Sequence, residues 1–362
     1  MNVRDSEVIC GLLQKAGYRI CADDHNADII IFNTCSVRKH AEDRVWSLIG
    51  SYKGSKIIGL VGCMAQNYRE RAFQRDSSIS FVVGPQDIHK LPDILNKFNV
   101  KSLLERKIWE TDGTLRPEEI YHTDFFQDKN HAYVVISEGC SNFCSYCIVP
   151  YVRGALRHRK HKNILDEIRK AIDGGITKVT LLGQNVNAYQ DGRVNFTKLL
   201  ERVNGLSRLK EIDFFTSHPK DASIEFFKAI RDLDKLAKRL HLPLQSGSDR
   251  ILKLMNRGYK VKDYLALIDS YRKIVKGGLL TTDIIVGFPT ETIEEFKETY
   301  SLVKEAGFNA AYIFKYSTRP GTEAAKMIEL KLEEVNKRHK KILDLQRCIS
   351  KGLKSGGTDA KN

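Results

Sequence analysis

The chain has 362 residues, with 59 Lys and Arg against 45 Asp and Glu, a formal net charge of +14 and eight cysteines. That length allows two domains with real cores, and a hydrophobic fraction of 42% is ordinary for a globular protein. No apolar run approaches the ~18 residues of a membrane span and no signal peptide opens the chain, so a cytoplasmic, reducing setting is expected and disulfides are not. The basic excess points to a polyanion, RNA or DNA before an acidic membrane.

From residue 5 to 97 the pattern alternates helix and strand. Helices are predicted near 5–17, 38–50, 66–74 and 87–97, with continuous apolar strands at 27–33, 56–61 and 80–83. Such strands between helices imply a parallel sheet covered on both faces. Cys35 and Cys63 each fall just past a strand, where ligands gather in these sheets. The first helix has no strand before it, so the sheet is expected to lack its opening strand.

Residues 98–131 read as an irregular linker. Six strand–helix units are predicted next, with strands near 132–137, 177–182, 210–215, 239–243, 280–286 and 310–316. Six units suit a partial (β/α)6 barrel rather than the closed eight-stranded form. Polar and glycine-bearing tags end these strands: Gly183-Gln184-Asn185, Thr216-Ser217-His218, Gln245-Ser246-Gly247, Val286-Gly287-Phe288 and Tyr316 to Gly321. With the cysteine motif that follows the first of these strands, six such tags on one rim indicate a site. Leu332, Val335, Ile342, Leu345 and Ile349 then predict an amphipathic helix, and residues after 350 read as disordered.

The first of the barrel strands leads into Cys140, Cys144 and Cys147, spaced C-x3-C-x2-C. Thiolates suit iron–sulfur clusters and zinc, but a closed structural zinc site takes four ligands. Zinc completed by His158 or His161 is the alternative. A cubane cluster on three cysteines leaves one iron open, and S-adenosylmethionine can chelate it through its amino and carboxylate groups. An electron passed to the sulfonium then releases a radical able to abstract hydrogens that no side-chain base removes. Tyr146 offers a ring for adenine, and Gln184, Asn185, Ser217 and Gln245 offer uncharged contacts to ribose and amino acid. Gly287 lies in a glycine-flanked loop that a nucleoside can approach closely. Gln184 and Gln245 could equally tie neighbouring loops. The run 151–162 carries Arg153, Arg157, Arg159, Lys160 and Lys162 with no acid, and is expected to draw phosphates to the metal. Lys337 to Lys341 form a second basic run.

Beyond the triplet, the chain resembles the radical S-adenosylmethionine methylthiotransferases in NTCSVRKHAEDRV at 33–45, VGCMAQ at 61–66, CSYCIVPYVRG at 144–154, LLGQNVNAY at 181–189, FFTSHP at 214–219, HLPLQSGSDRIL at 241–252, MNRGY at 255–259, TDIIVGFPTET at 282–292 and YSTRPGT at 316–322. Within the family, the SVR after Cys35, IVPYVRG and GQNVNAY are similar to the branch that modifies isopentenylated adenosine, rather than the branches acting on a ribosomal-protein aspartate or on threonylcarbamoyladenosine. The resemblance implies an N-terminal Rossmann- or flavodoxin-like domain over 1–100, a linker at 101–128, a radical core at 129–330, a helix at 331–350 and a tail at 351–362. It implies methylthiolation of carbon 2 of N6-isopentenyladenosine beside the tRNA anticodon, using two molecules of S-adenosylmethionine. Cys140, Cys144 and Cys147 would hold the radical-generating 4Fe–4S cluster, and Cys35 and Cys63 a second, auxiliary one. A flavodoxin or ferredoxin would supply electrons to a monomer acting on a tRNA anticodon stem-loop.

Three departures from the family pattern stand out. Its third auxiliary cysteine is expected upstream of Met1, its usual C-terminal RNA-binding barrel is absent, and ALRHRK stands where REVSRP is usual. A truncated gene model of an active enzyme is the leading expectation, and a degenerate paralogue that cleaves S-adenosylmethionine without transferring sulfur is the competing one. Cys10, Cys21 and Cys348 read as core or incidental residues.

Overall fold

Runs of β-branched residues in IIIFNT, IIGLVG and ISFVV favour pleated strands, the first half-buried and the other two fully buried. In the computed structural model, which describes residues 1–36, 39–52, 56–98, 107–113, 115–123 and 125–355, they become Ile29–Thr34, Ile57–Gly62 and Ile79–Val83, paired in parallel in that order. Alternate residues face opposite sides. Ile57, Val61, Phe81 and Val83 pack with Val8, Ile9, Leu91 and Ile94 from helices Asn2–Lys15 and Leu91–Asn96. Ile58, Leu60, Ile79 and Val82 pack with Ile49, Met64 and Ala72. Each such side chain contributes about 1.5–3 kcal/mol on burial, which makes both covered faces worth keeping.

Two expectations change here. The stretch read as an irregular linker supplies a fourth parallel strand, Ile108–Glu110, with Phe81 opposite Ile108; its short length hid it, and residues 99–106, 114 and 124 of the stretch lie outside those described. The helix expected near 66–74 is two helices, Cys63–Tyr68 and Arg71–Arg75, separated at Arg69, whose φ of 51° is left-handed.

The second series contains all six expected strands. His131–Val135 and Lys178–Leu182 pair in parallel, and with the N-terminal sheet they form one compact unit, residues 1–141 and 148–182. The other unit holds 142–147 and the chain from 183 onward. In it Glu211–Phe215 is followed by Arg239–His241, Leu279–Val286 and Ala310–Lys315, the last three forming a parallel sheet in chain order. A reciprocal cap, Glu295 N–H to Thr292 Oγ1 and Thr292 N–H to Glu295 Oε2, starts helix Ile293–Ala306. The last helix runs Leu332–Ser355, past the Ile349 end expected from periodicity, while residues 356–362 of the predicted tail lie outside those described. Val335 and Ile342 bury its apolar stripe, and Arg338 pairs with buried Glu291 at 2.7 Å.

Candidate active site

In the first unit, Thr34 stands opposite Gly62 in the parallel register. Cys35 and Cys63 therefore leave adjacent strand ends, where neighbouring strands run about 4.8 Å apart. Gly62 has φ +92°, and a Cβ there would lie 2.7 Å from the Thr34 carbonyl oxygen, so only glycine lets the chain turn into helix Cys63–Tyr68. Burial pushes the Cys63 thiol pKa up, Arg153 pulls against that, and Cys35 adds to the rise.

Arg153 Nε donates to Cys63 Sγ at 3.1 Å, and Arg153 Nη2 to Asp5 at 2.6 Å. Asp5 also accepts from Arg116 at 2.7 Å, and Arg116 pairs with Glu138 at 2.9 Å. Glu138 meets Arg157 at 3.4 Å, Arg157 donates to Gln86 at 2.7 Å, and Gln86 donates to the Arg153 carbonyl at 3.1 Å. The result is a closed, buried ring. Burial alone would raise the Asp5 carboxyl, but Arg153 and Arg116 overcome it and hold it well below the usual carboxylate range.

This ring corrects the reading of 151–162 as a phosphate-drawing surface. Arg153 and Arg159 are buried, Arg157 is half-buried, and their charge is met inside the unit: Arg159 pairs with Glu167 at 2.6 Å and lies over the Tyr121 ring. Lys160 and Lys162 alone of the five are exposed. The three arginines of a run without acids are met by acids outside it, Asp5, Glu138 and Glu167.

The boundary between the units passes through the cysteine triplet. In the first, Cys140 N–H donates to the Gly154 carbonyl at 3.1 Å. In the second, Cys147 N–H donates to the Cys144 carbonyl at 2.9 Å, and Cys144 is buried. Arg257 Nη1 donates to Cys144 Sγ at 3.3 Å and to the Tyr146 hydroxyl at 3.5 Å. Its Nη2 donates to the Pro243 carbonyl and its Nε to Tyr259, both at 3.1 Å. Nothing in the MNRGY stretch marks Arg257, because an arginine that ends up buried looks like any surface cation in a single sequence.

The strand-end residues divide by what already occupies them. Ser217 donates its hydroxyl to the His241 carbonyl and is buried, so it ties two loops. Gly287 has φ +69°, and a Cβ there would come 2.6 Å from Val335, so this glycine lets the C-terminal helix approach closely. The Tyr146 ring is half-buried against Ile251, Met255, Phe288 and Ala324, which makes it a wall of the apolar cluster. Gln184 Oε1, Asn185 Oδ1 and Gln245 Oε1 are buried without a hydrogen-bond partner among the described residues, although Asn185 donates to Asp221 at 2.6 Å. Gln245 adopts φ +71°, a strained conformation for this residue, with its N–H given to Asp283. Burial, then the nearby charges of Arg257 and Lys220, push the His218 pKa down to about 2, so this ring stays neutral. Outside the rim, Cys10 is half-buried and Cys21 and Cys348 are exposed.

Comparison with known proteins fits this geometry. Residues 134–303 match the family described as the Radical SAM superfamily, and residues 1–84 match Uncharacterized protein family UPF0004. TsrM from Kitasatospora setae, a radical S-adenosylmethionine methyltransferase, superposes with a TM-score of 0.59 at 13% identity, over 87% of this chain and 65% of that one. OxsB, a cobalamin-dependent S-adenosylmethionine radical enzyme, gives 0.52 at 15% identity over 96% of this chain, which spans 50% of that one. These likenesses fix the fold: a parallel-sheet N-terminal domain followed by the partial barrel of radical S-adenosylmethionine enzymes. Sequence narrows the class. Proteins of Clostridium botulinum and Thermoanaerobacter pseudethanolicus named tRNA-2-methylthio-N(6)-dimethylallyladenosine synthase are each 43% identical over 97% of this chain, which covers 80% and 76% of them. The chain belongs to that family.

Proposed function

We propose that the protein methylthiolates carbon 2 of N6-isopentenyladenosine next to the anticodon of tRNA. Cys140, Cys144 and Cys147 would hold one 4Fe–4S cluster, and Cys35 and Cys63 two of the ligands of an auxiliary one. The donor set suits these groups, since all five ligands are thiols and buried Arg257 has no carboxylate partner among the described residues. With S-adenosylmethionine, the first cluster supplies one-electron chemistry that abstracts hydrogen from a ring position neither acidic nor electrophilic.

The chain's own residues do the rest. The unpartnered oxygens of Gln184, Asn185 and Gln245 are acceptors for the ammonium, hydroxyl and amine donors of a nucleoside cosubstrate. Neutral His218 can donate from Nε2, because its Nδ1 accepts the Lys220 N–H at 3.2 Å and the proton therefore sits on Nε2. Tyr146, Met255 and Phe288 keep water from the reacting face. Exposed Lys337, Lys340 and Lys341 offer charge to an RNA backbone. A flavodoxin or ferredoxin donor, a monomeric state and a cytoplasmic setting complete the reading, with no helix among the described residues long and apolar enough to cross a membrane.

The observation that carries sulfur transfer, beyond radical generation alone, is the second thiol pair on adjacent strand ends. Cys144→Ala should abolish cleavage of S-adenosylmethionine. Cys35→Ala should leave cleavage intact and remove methylthiolation, read by mass spectrometry of tRNA nucleosides from a host lacking its own enzyme. Unchanged cleavage in the first variant, or loss of both activities in the second, would defeat the assignment.

A further inference from the structure

Arg257 is a buried cation, 4% exposed, whose partners in the second unit are two tyrosine hydroxyls, one backbone carbonyl and the sulfur of Cys144. A guanidinium is always charged, and burying one without an anion is strongly unfavourable unless an anion arrives. Among the described residues no carboxylate meets it. Burial pushes the Tyr146 and Tyr259 hydroxyls up and keeps them neutral, whereas Cys144 becomes anionic on ligating iron. The arginine is also held before any metal binds. Tyr259 accepts from its Nε, and Tyr259 in turn donates to the Leu244 carbonyl at 2.8 Å. The loop bearing Cys144 is tied down separately, by Ser145 N–H to the Met255 carbonyl at 3.0 Å and Ala324 N–H to the Ser145 carbonyl at 2.8 Å.

We infer that Arg257 is a positioning residue for the radical-generating centre: its N–H fixes the Cys144 sulfur, and its charge favours the reduced, more negative form of the cluster that Cys144 ligates. The inference rests on the proposal that Cys144 is such a ligand. Hydrogen bonds to ligating sulfurs and local charge both set cluster potentials. Reduction adds one electron to the cluster and no proton, so a fixed cation beside it shifts that equilibrium directly. Tyr146 accepts from the same guanidinium, so it shares in orienting it.

The test is an anaerobic potentiometric titration of the reconstituted full chain, followed by electron paramagnetic resonance of the reduced cluster. Arg257→Met should keep the iron bound by the triplet but lower the reduced-to-oxidised ratio at a fixed potential about tenfold, which is about 59 mV for one electron. Arg257→Lys, which keeps the charge, should recover most of that loss. Tyr259→Phe, which removes one support of the arginine but not its N–H to sulfur, should change the ratio little. If Arg257→Met does not take up iron, wild type grown with 15N-arginine decides the matter. Pulsed resonance should detect a guanidinium nitrogen coupled to the reduced cluster, and no coupling overturns the inference. An unchanged ratio in Arg257→Met also overturns it, while leaving the ligand assignment standing. A wild-type chain that binds no cluster at the triplet defeats the assignment itself.

Discussion

Each unit sets an arginine against a cysteine sulfur, yet the two pairs are built on opposite principles. In the first, Arg153 touches Cys63 but is neutralised by Asp5, and Asp5 is shared with Arg116 in a closed ring. In the second, Arg257 touches Cys144 with no acid beside it among the described residues. Arg153 is therefore satisfied without any ligand and belongs to the architecture that holds the strand ends. Arg257 carries an unmet charge and belongs to the chemistry. The distinction between a structural and a functional cation lies in the accounting of its counter-charge, and the sequence around either residue does not display it.

The largest effect that sharpens this contrast is expected at Asp5. Asp5→Asn takes the carboxylate from buried Arg153 and leaves buried Arg116 with Glu138 alone, and breaking a buried ion pair from one side costs about 3–5 kcal/mol. Urea unfolding of the metal-free protein should show a loss of that size. Arg257→Met in the same assay should cost only about 1–2 kcal/mol, since the Pro243 carbonyl keeps Tyr259 as a donor and no buried charge is left behind. Equal losses in the two variants would erase the difference drawn between them.

What the sequence made legible follows the same divide. Strand periodicity located three strands of the N-terminal sheet and all six of the second series, because continuous apolar runs and helical spacing are local properties. The fourth strand, Ile108–Glu110, was missed because three residues carry no period. Cys35 and Cys63 could be placed on neighbouring strand ends from pattern alone, and the register agrees. Arg153, Arg157 and Arg159 were misread as surface because their partners Asp5, Glu138 and Glu167 are brought to them by tertiary folding. Gly287 was legible as a glycine that something must approach, but not as one approached by Val335 from a helix that begins 45 residues later.

That contact gives the next effect in size. Whereas the first unit secures its strand ends by charge, the second closes this strand end by packing. Gly287→Ala places a methyl group against Val335 and imposes a left-handed φ on alanine. Conformational cost of ~1–2 kcal/mol and overpacking of ~1–3 kcal/mol together predict a loss of about 2–4 kcal/mol. Adding Val335→Ala should return the packing part and leave the conformational part. No recovery in the double variant would show that the glycine serves something other than this helix.

The smallest effect concerns His218 and reaches back to Arg257. In the folded chain its pKa is pushed down to about 2, first by burial and then by the Arg257 charge, against 6.5 in the ordinary case. Between those values the unfolded chain binds the proton and the folded chain does not, so stability is complete above about pH 6.5 and falls as the pH drops. From pH 7 to pH 5 the loss from this ring is about 2 kcal/mol. His218→Asn, whose Oδ1 can still accept from Lys220 N–H, should flatten the acid limb of a stability profile by that amount. Arg257→Met should flatten it by less, because burial, the larger cause, survives. If Arg257→Met leaves the His218 limb unaltered in the metal-free protein, the guanidinium charge is being met by something other than Cys144, and its standing as an uncompensated cation is lost.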